Sequence, residues 1–157
     1  MLIMSKASIV LKNNQGIKHP RIVSVDYGTQ RVGLSLADPL QLFAQPLTTC
    51  SPRSAIEKLI SLHERETIGT IVIGWPLNED GSEGEATRRV DRYIRKLDAR
   101  LPGVEIIRWD ERYTSEEAKS RFIGRKSKKK QGYVDQIAAG IILQEYLDSI
   151  SETTDHE

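Results

Sequence analysis

The sequence predicts an α/β domain in which an antiparallel meander of strands is followed by alternating helices and strands, giving a mixed sheet covered by helices. Three observations carry this expectation. RIVSVD (21–26) and RVGLSLAD (31–38) are apolar, β-branched runs separated by YGTQ, a hairpin signal in which Gly28 supplies the positive φ of a tight turn. TIVIG (70–74) is a short continuous apolar run, as expected of a strand buried on both faces. Beyond residue 50, helical and strand periodicities alternate in the order helix, strand, helix, strand, helix, helix.

Taken in order, FAQPLTT (43–49) is a third strand that Pro46 restricts to an edge or an irregular position. SPRSAIEKLISLHER opens a helix with Ser51 as N-cap and Pro52 at the first helical position, and Ile56, Leu59, Ile60 and His63 form its stripe. TIVIG ends at Gly74-Trp75-Pro76, and a polar loop (77–84) leads into EATRRVDRYIRKLDARL. There Ala86, Val90, Tyr93, Ile94 and Leu97 form the apolar stripe, with Arg88, Arg89, Arg92, Arg95 and Lys96 mostly off it. VEIIRW is the last strand. TSEEAKSRFIG is a helix with a capping box from Thr114 to Glu117 and a stop at Gly124. RKSKKKQG is a basic loop, and VDQIAAGIILQEYLDSI is the final helix, with apolar positions 134, 137, 138, 141 and 142.

The totals set bounds. A length of 157 residues fits one domain, and shares of 38% apolar and 29% charged residues fit a globular protein in water. No apolar run reaches the roughly 18 residues of a membrane span. Twenty-three basic and twenty-two acidic residues give a net charge of +1, so only the distribution of charge can argue for a nucleic-acid partner. Cys50 is the sole cysteine, which excludes an internal disulfide and suits a reducing, cytoplasmic setting. His19, His63 and His156 are too scattered for a zinc site. Residues 1–20, with Lys6, Lys12 and Lys18 as their charges, read as a loose extension or an edge strand rather than a transit peptide. The domain is expected over 21–150, with a flexible tail over 151–157.

Three acids stand out by position. Asp26 ends the first strand, Asp110 and Glu111 end the last, and Asp135 opens the final helix. Each has a plain structural reading: a turn residue for Asp26, and a favourable place in the helix dipole for the others. Together they can share the rim at the carboxyl ends of parallel strands, where open α/β sheets bind ligands. Carboxylates converging without His or Cys are the donor set of a hard cation such as Mg²⁺ or Mn²⁺. Two such ions roughly 3.5–4 Å apart can activate water and stabilise the leaving oxygen of a phosphodiester. Ala138 and Ala139 let the final helix approach the sheet closely.

On the phosphate side, Arg31 suits a bidentate contact, and the backbone N–H groups of Gly28 and Thr29 suit an anion. Lys126, Lys128, Lys129 and Lys130 form a positive block that the near-zero net charge conceals. Arg88, Arg89 and Arg92 read as the solvated side of their helix rather than a second nucleic-acid face. Trp75, after a buried strand, reads as packing rather than base stacking.

DYGTQRVG (26–33), GWPLNEDG (74–81), DERYTSEEA (110–118) and KKKQGYVDQIAAGIIL (128–143) resemble, in order, the four blocks of the YqgF/RuvX family of the ribonuclease H superfamily. The resemblance spans roughly residues 21–148. It implies a ribonuclease-H-like fold, with a five-stranded mixed sheet flanked by helices. It also implies a nuclease dependent on Mg²⁺ or Mn²⁺, with two ions, that matures the 5′ end of the 16S ribosomal RNA precursor. Holliday-junction cleavage is the alternative, which makes RNA the expected partner and branched DNA the second. A monomer or weak homodimer away from membranes is expected. Carried onto this chain, Asp26, Glu111 and Asp135 are the metal ligands and catalytic acids, and Arg31 and Arg112 support them.

Two departures from the family pattern bear on the site. The fourth strand, TIVIGWP, carries no acid, so Glu111 must reach in from the next strand; failing that, Asp110, Glu79 or Glu83 would substitute. Trp75 replaces an apolar residue after the glycine. A sugar-kinase-like phosphate loop would also begin D-x-G-T, but such proteins enclose a nucleotide between two copies of this core, and this chain has one. A non-catalytic RNA-binding factor is the third reading, sustained by the missing acid on the fourth strand.

Overall fold

The computed structural model describes residues 11–13, 16–113 and 131–154. Two short strands, β1 (Leu11–Asn13) and β2 (Gly16–Lys18), pair antiparallel in a sheet of their own. Among the described residues, five further strands form one mixed sheet. They are β3 (Arg21–Tyr27), β4 (Val32–Ala37), β5 (Ala44–Cys50), β6 (Ile68–Trp75) and β7 (Glu105–Asp110), in the order β5-β4-β3-β6-β7. The first three make the antiparallel meander, and β6 and β7 add parallel to β3. Helices α1 (Pro52–Glu66) and α2 (Glu85–Arg100) pack on one face, and α3 (Gln131–Thr154) packs on the other.

Alternation along β3 assigns the two faces. Val23 and Val25 enter the core under α1 and α2, whereas Ile22 faces α3 and the Ser24 hydroxyl donates to the Ala139 carbonyl at 2.5 Å. The α1/α2 face is a continuous apolar core that includes Leu34, Leu59, Ile71, Ile73 and Leu97. The α3 face is smaller, built on Val72, Ile142, Leu143 and Leu147. Gln144 is buried there, donating to the Leu42 carbonyl and accepting from Ala44 N–H, both at 3.0 Å, and so clips α3 to the start of β5.

Several local expectations change in the folded chain. Gly28 does not adopt a positive φ; a Cβ there would instead crowd the Arg31 carbonyl, so the loop needs glycine for space. In α1 the buried residues are Ala55, Ile56, Leu59 and Leu62, with Ile60 only packed against the edge of the core. His63 leaves the stripe because its Nδ1 accepts the Ile68 N–H at 2.9 Å, closing the helix end where Thr67 takes φ 53°. In α2, Ala86 is exposed and Thr87 is buried, its hydroxyl accepting from Gly84 N–H at 2.9 Å. Pro46 lies on edge strand β5 beside a register shift, as the sequence demands. Helix α3 begins at Gln131 and runs to Thr154, so residues 151–154 extend the helix rather than form a tail. The helix expected over 114–124, with its cap at Thr114 and Glu117 and its stop at Gly124, lies outside the described residues, as do Lys126, Lys128, Lys129 and Lys130. Among the described residues, no helix is long and apolar enough to cross a membrane.

Candidate functional site: a carboxylate rim across three strands

Asp26, Glu111 and Asp135 come together at the carboxyl ends of β3 and β6, beside the start of the antiparallel β4. Asp26 is the penultimate residue of β3 and pairs across the ladder with Gly33 of β4. Helix α3 passes so close over β4 that a Cβ at Gly33 would collide with the backbone carbonyl of Asp135. On the other side of β3, a Cβ at Gly74 of β6 would collide with Glu111 Oε1 and press on Ile142. The three acids therefore sit over adjacent strands, with Asp26 in the middle. Glu111, carried on the 3₁₀ turn that follows β7, lies over the strand whose own sequence lacks an acid.

The electrostatics show the crowding. Burial pushes the Asp26 carboxyl up from 3.8 to about 7, and the negative charges of Glu111 and Asp135 add to the shift. Burial also raises Glu111, with Asp110 contributing. Asp135 Oδ2 is buried and accepts no hydrogen bond among the described residues; it forms an ion pair with Arg31, whose Nε lies 3.3 Å away. No three His, Cys, Asp or Glu side chains among the described residues already close around a single point as an ion cage. The crowding that raises Asp26 beside Glu111 and Asp135, together with the buried Asp135 oxygen that accepts no hydrogen bond, is nevertheless a setting that a hard cation fits.

The remaining sequence candidates sort clearly. Arg31 faces the rim, bound to Asp135. Arg112 pairs with Asp110: its Nη2 meets Asp110 Oδ2 at 2.9 Å, its Nε reaches both oxygens at 3.2 Å, and Nη1 lies 3.4 Å from the Glu79 carbonyl. That pairing holds Asp110 below the usual carboxylate range. Asp110 is thus engaged by Arg112, which ties it to the 77–84 loop, and Glu79 and Glu83 are exposed on that loop. Trp75 is buried in the α1/α2 core with the Arg108 guanidinium 4.4 Å from its ring centroid, so it packs. Asp135 lies in the second turn of α3 rather than at its start, beyond the first turn where the helix dipole acts most strongly. Gly28 and Thr29 form the loop beside the rim, Thr29 being exposed. The residues that sequence reasoning missed are Gly33 and Gly74, whose missing side chains seat Asp135 and Glu111, and Ser24, which pins α3 to β3. The glycines interrupting two apolar strands were the available signal.

A mixed sheet of this order with an acidic rim defines a ribonuclease-H-like α/β protein. A family described as "RuvX: Holliday junction resolvase" matches residues 20–149, and the chain belongs to that family. A relative from Salinibacter ruber, named "Putative pre-16S rRNA nuclease", is 44% identical over 132 residues, covering 82% of this chain and 92% of its own. One of the same name from Syntrophus aciditrophicus is 44% identical over 137 residues, covering 84% and 91%. Among solved structures, Thermus thermophilus RuvC in complex with a Holliday junction substrate superposes with a TM-score of 0.56 at 11% identity. That match covers 85% of this chain and 96% of the other, and at such identity the likeness is one of fold.

Proposed function

We propose that the protein is a divalent-cation-dependent nuclease that hydrolyses phosphodiester bonds of RNA, with precursor 16S ribosomal RNA, the substrate named for its relatives, as the first candidate. The class follows from the family and the relatives' names. The observation that carries the mechanism is the placement of Asp26, Glu111 and Asp135 over three neighbouring strands, with Asp26 pushed up to about 7. Asp26, Glu111 and Asp135 would hold Mg²⁺ or Mn²⁺, which in such sites supplies Lewis acidity and an activated water. Ser24 and Gly33 keep Asp135 at the height of Asp26, and Gly74 gives Glu111 its room. Arg31, paired with Asp135 at the rim, would be the group to receive a phosphate oxygen of the substrate. A non-catalytic RNA-binding role, which the acid-free fourth strand left open, is the less favoured reading here, since Glu111 lies against Gly74 of that strand and would supply the acid.

The family's description as a Holliday junction resolvase keeps branched DNA as a second substrate class. The test is cleavage of single-stranded RNA, precursor ribosomal RNA and four-way DNA junctions by wild type and Asp26→Asn, in Mg²⁺, Mn²⁺ or EDTA. Cutting that needs the cation and falls by more than roughly 10²-fold in the variant is expected, since even outer-shell partners of metal ligands cost 10–100-fold. Equal cutting by both proteins, or cutting in EDTA, contradicts the mechanism. Cutting of junctions alone reassigns the substrate.

A further inference from the structure

On the opposite face of the sheet from the rim, a recess of about 250 Å³ is lined by Tyr27, Thr29, Arg89, Arg92, Tyr93 and Lys96. Its position follows from the strand. Tyr27 is the residue after Asp26, and successive side chains on a strand point to opposite faces, so Asp26 turns toward α3 and Tyr27 toward α2. Thr29, in the following loop, forms the lip between the two. Arg89, Arg92, Tyr93 and Lys96 stand at helical spacings of three and four along one face of α2. Tyr93 is buried against Tyr27, with ring centroids 4.6 Å apart, while the three cations stay exposed around it.

The charge of this recess is not balanced. Arg89 and Arg92 lie 3.9 and 3.5 Å from a single Glu85 oxygen, and Arg88 takes the other oxygen of the same carboxylate at 3.4 Å. Exposed pairs of this kind contribute little and yield readily to a better anion. Lys96 has no ion-pair partner among the described acids. By contrast, the neighbouring Arg95 and Arg108 share Asp91 at 3.0 and 2.6 Å and do not line the recess.

Shape and ring chemistry narrow the ligand. The volume falls below the roughly 300–1,000 Å³ of sites that enclose a whole small molecule, so part of a larger molecule fits better. Tyr93 is committed, its hydroxyl donating to the Pro52 carbonyl at 2.8 Å and its ring packed on Tyr27. The tyrosines floor the recess rather than offer a free platform for a base. What remains is a ring of guanidinium, ammonium and hydroxyl donors suited to a phosphate.

We propose that this recess seats a backbone phosphate of the nucleic-acid strand flanking the bond presented at the carboxylate rim. The strand crosses the end of β3, with Asp26 on one side and the Tyr27 recess on the other. The inference rests on the nucleic-acid reading of the rim and adds to it a positioning site on α2.

The test is fluorescence anisotropy with a short labelled single-stranded RNA, in EDTA so that no cleavage intervenes, at several salt concentrations. Wild type is compared with Arg89→Ala/Arg92→Ala, with Lys96→Ala and with Arg95→Ala. All four positions are exposed, so melting temperatures should stay close to wild type. The double variant is expected to bind roughly tenfold more weakly and to lower the salt slope by about 0.7 for each phosphate it no longer neutralises. Lys96→Ala should move the same way by less, and Arg95→Ala should stay near wild type. If wild type binds RNA and the double variant and Lys96→Ala bind like it, or if Arg95→Ala weakens binding as much as the double variant, the recess is not a phosphate site and the rim reading stands. If wild type itself fails to bind RNA, the recess and the RNA reading fall together.

Discussion

The two faces of the sheet are made by the same strands and do different work. Under α1 and α2, β3 contributes Val23 and Val25, which are wholly buried among Leu59, Ile71 and Leu97. Under α3, the alternate residues of the same strand are Ile22, Ser24 and Asp26: one apolar side chain, one hydroxyl and one carboxylate. The apolar face supplies cohesion. The other face tolerates a buried hydroxyl, a buried Gln144 and crowded acids because the first face is large enough to hold the domain together. The buried hydroxyl and amide are met by backbone partners, and the carboxylates are gathered at the rim, where a ligand can offset them.

That contrast can be broken in a graded way. Leu59→Ala, in the apolar face, should cost about 2–5 kcal/mol through reduced burial and a cavity. It should lower the denaturant midpoint while cleavage by the remaining folded protein persists. Gly74→Ala should do the reverse. Its new methyl meets Glu111 and Ile142, so cleavage and Mn²⁺ affinity should drop by roughly 10–100-fold, the scale on which displaced ligand geometry is felt. Its loss of stability, read by chemical denaturation, should be smaller than that of Leu59→Ala. Ser24→Ala is the mildest: it removes the hydroxyl that donates to the Ala139 carbonyl, which keeps its place in the helical ladder, at a cost of about 0.5–1.5 kcal/mol, and loosens the helix that carries Asp135. A Leu59→Ala protein that fails to cut when folded, or a Gly74→Ala protein that cuts normally, would erase the division of labour between the faces.

Much of this was legible in the chain. The hairpin, the edge position of Pro46, the parallel strands and the packing of Trp75 follow from local pattern, and Asp26 stands out because an apolar strand ends in an acid. Glu111 could be reached from the missing acid on the fourth strand, although nothing local says that Gly74 makes its seat. The exchange of His63 for Leu62 in the α1 stripe depends on Ile68, where the next strand begins. The capture of Arg112 by Asp110 depends on the conformation of a turn. Arg31 meets Asp135 more than a hundred positions away, a pairing that periodicity cannot encode. Arg89 and Arg92 are exposed, as the solvated reading of α2 requires, but their recess exists only because Tyr27 comes up beneath them from a different element.

Asp26 lies crowded with Glu111 and Asp135, an arrangement that a bound cation would relieve. A carboxyl raised from 3.8 to about 7 in the folded protein binds a proton more tightly folded than unfolded. Its contribution to stability is therefore fully present below pH 3.8 and is lost as pH rises toward 7, by up to about 4 kcal/mol at roughly 1.4 kcal/mol for each tenfold change in proton affinity. Asp26→Asn removes that dependence. The direct measurement is unfolding free energy against pH, from 4 to 8, for metal-free wild type and Asp26→Asn, repeated with Mn²⁺ near neutrality. The expected result is a variant that gains on wild type as pH rises, with Mn²⁺ stabilising wild type and leaving the variant largely unchanged. Parallel curves for the two proteins, together with equal responses to Mn²⁺, would contradict the claim.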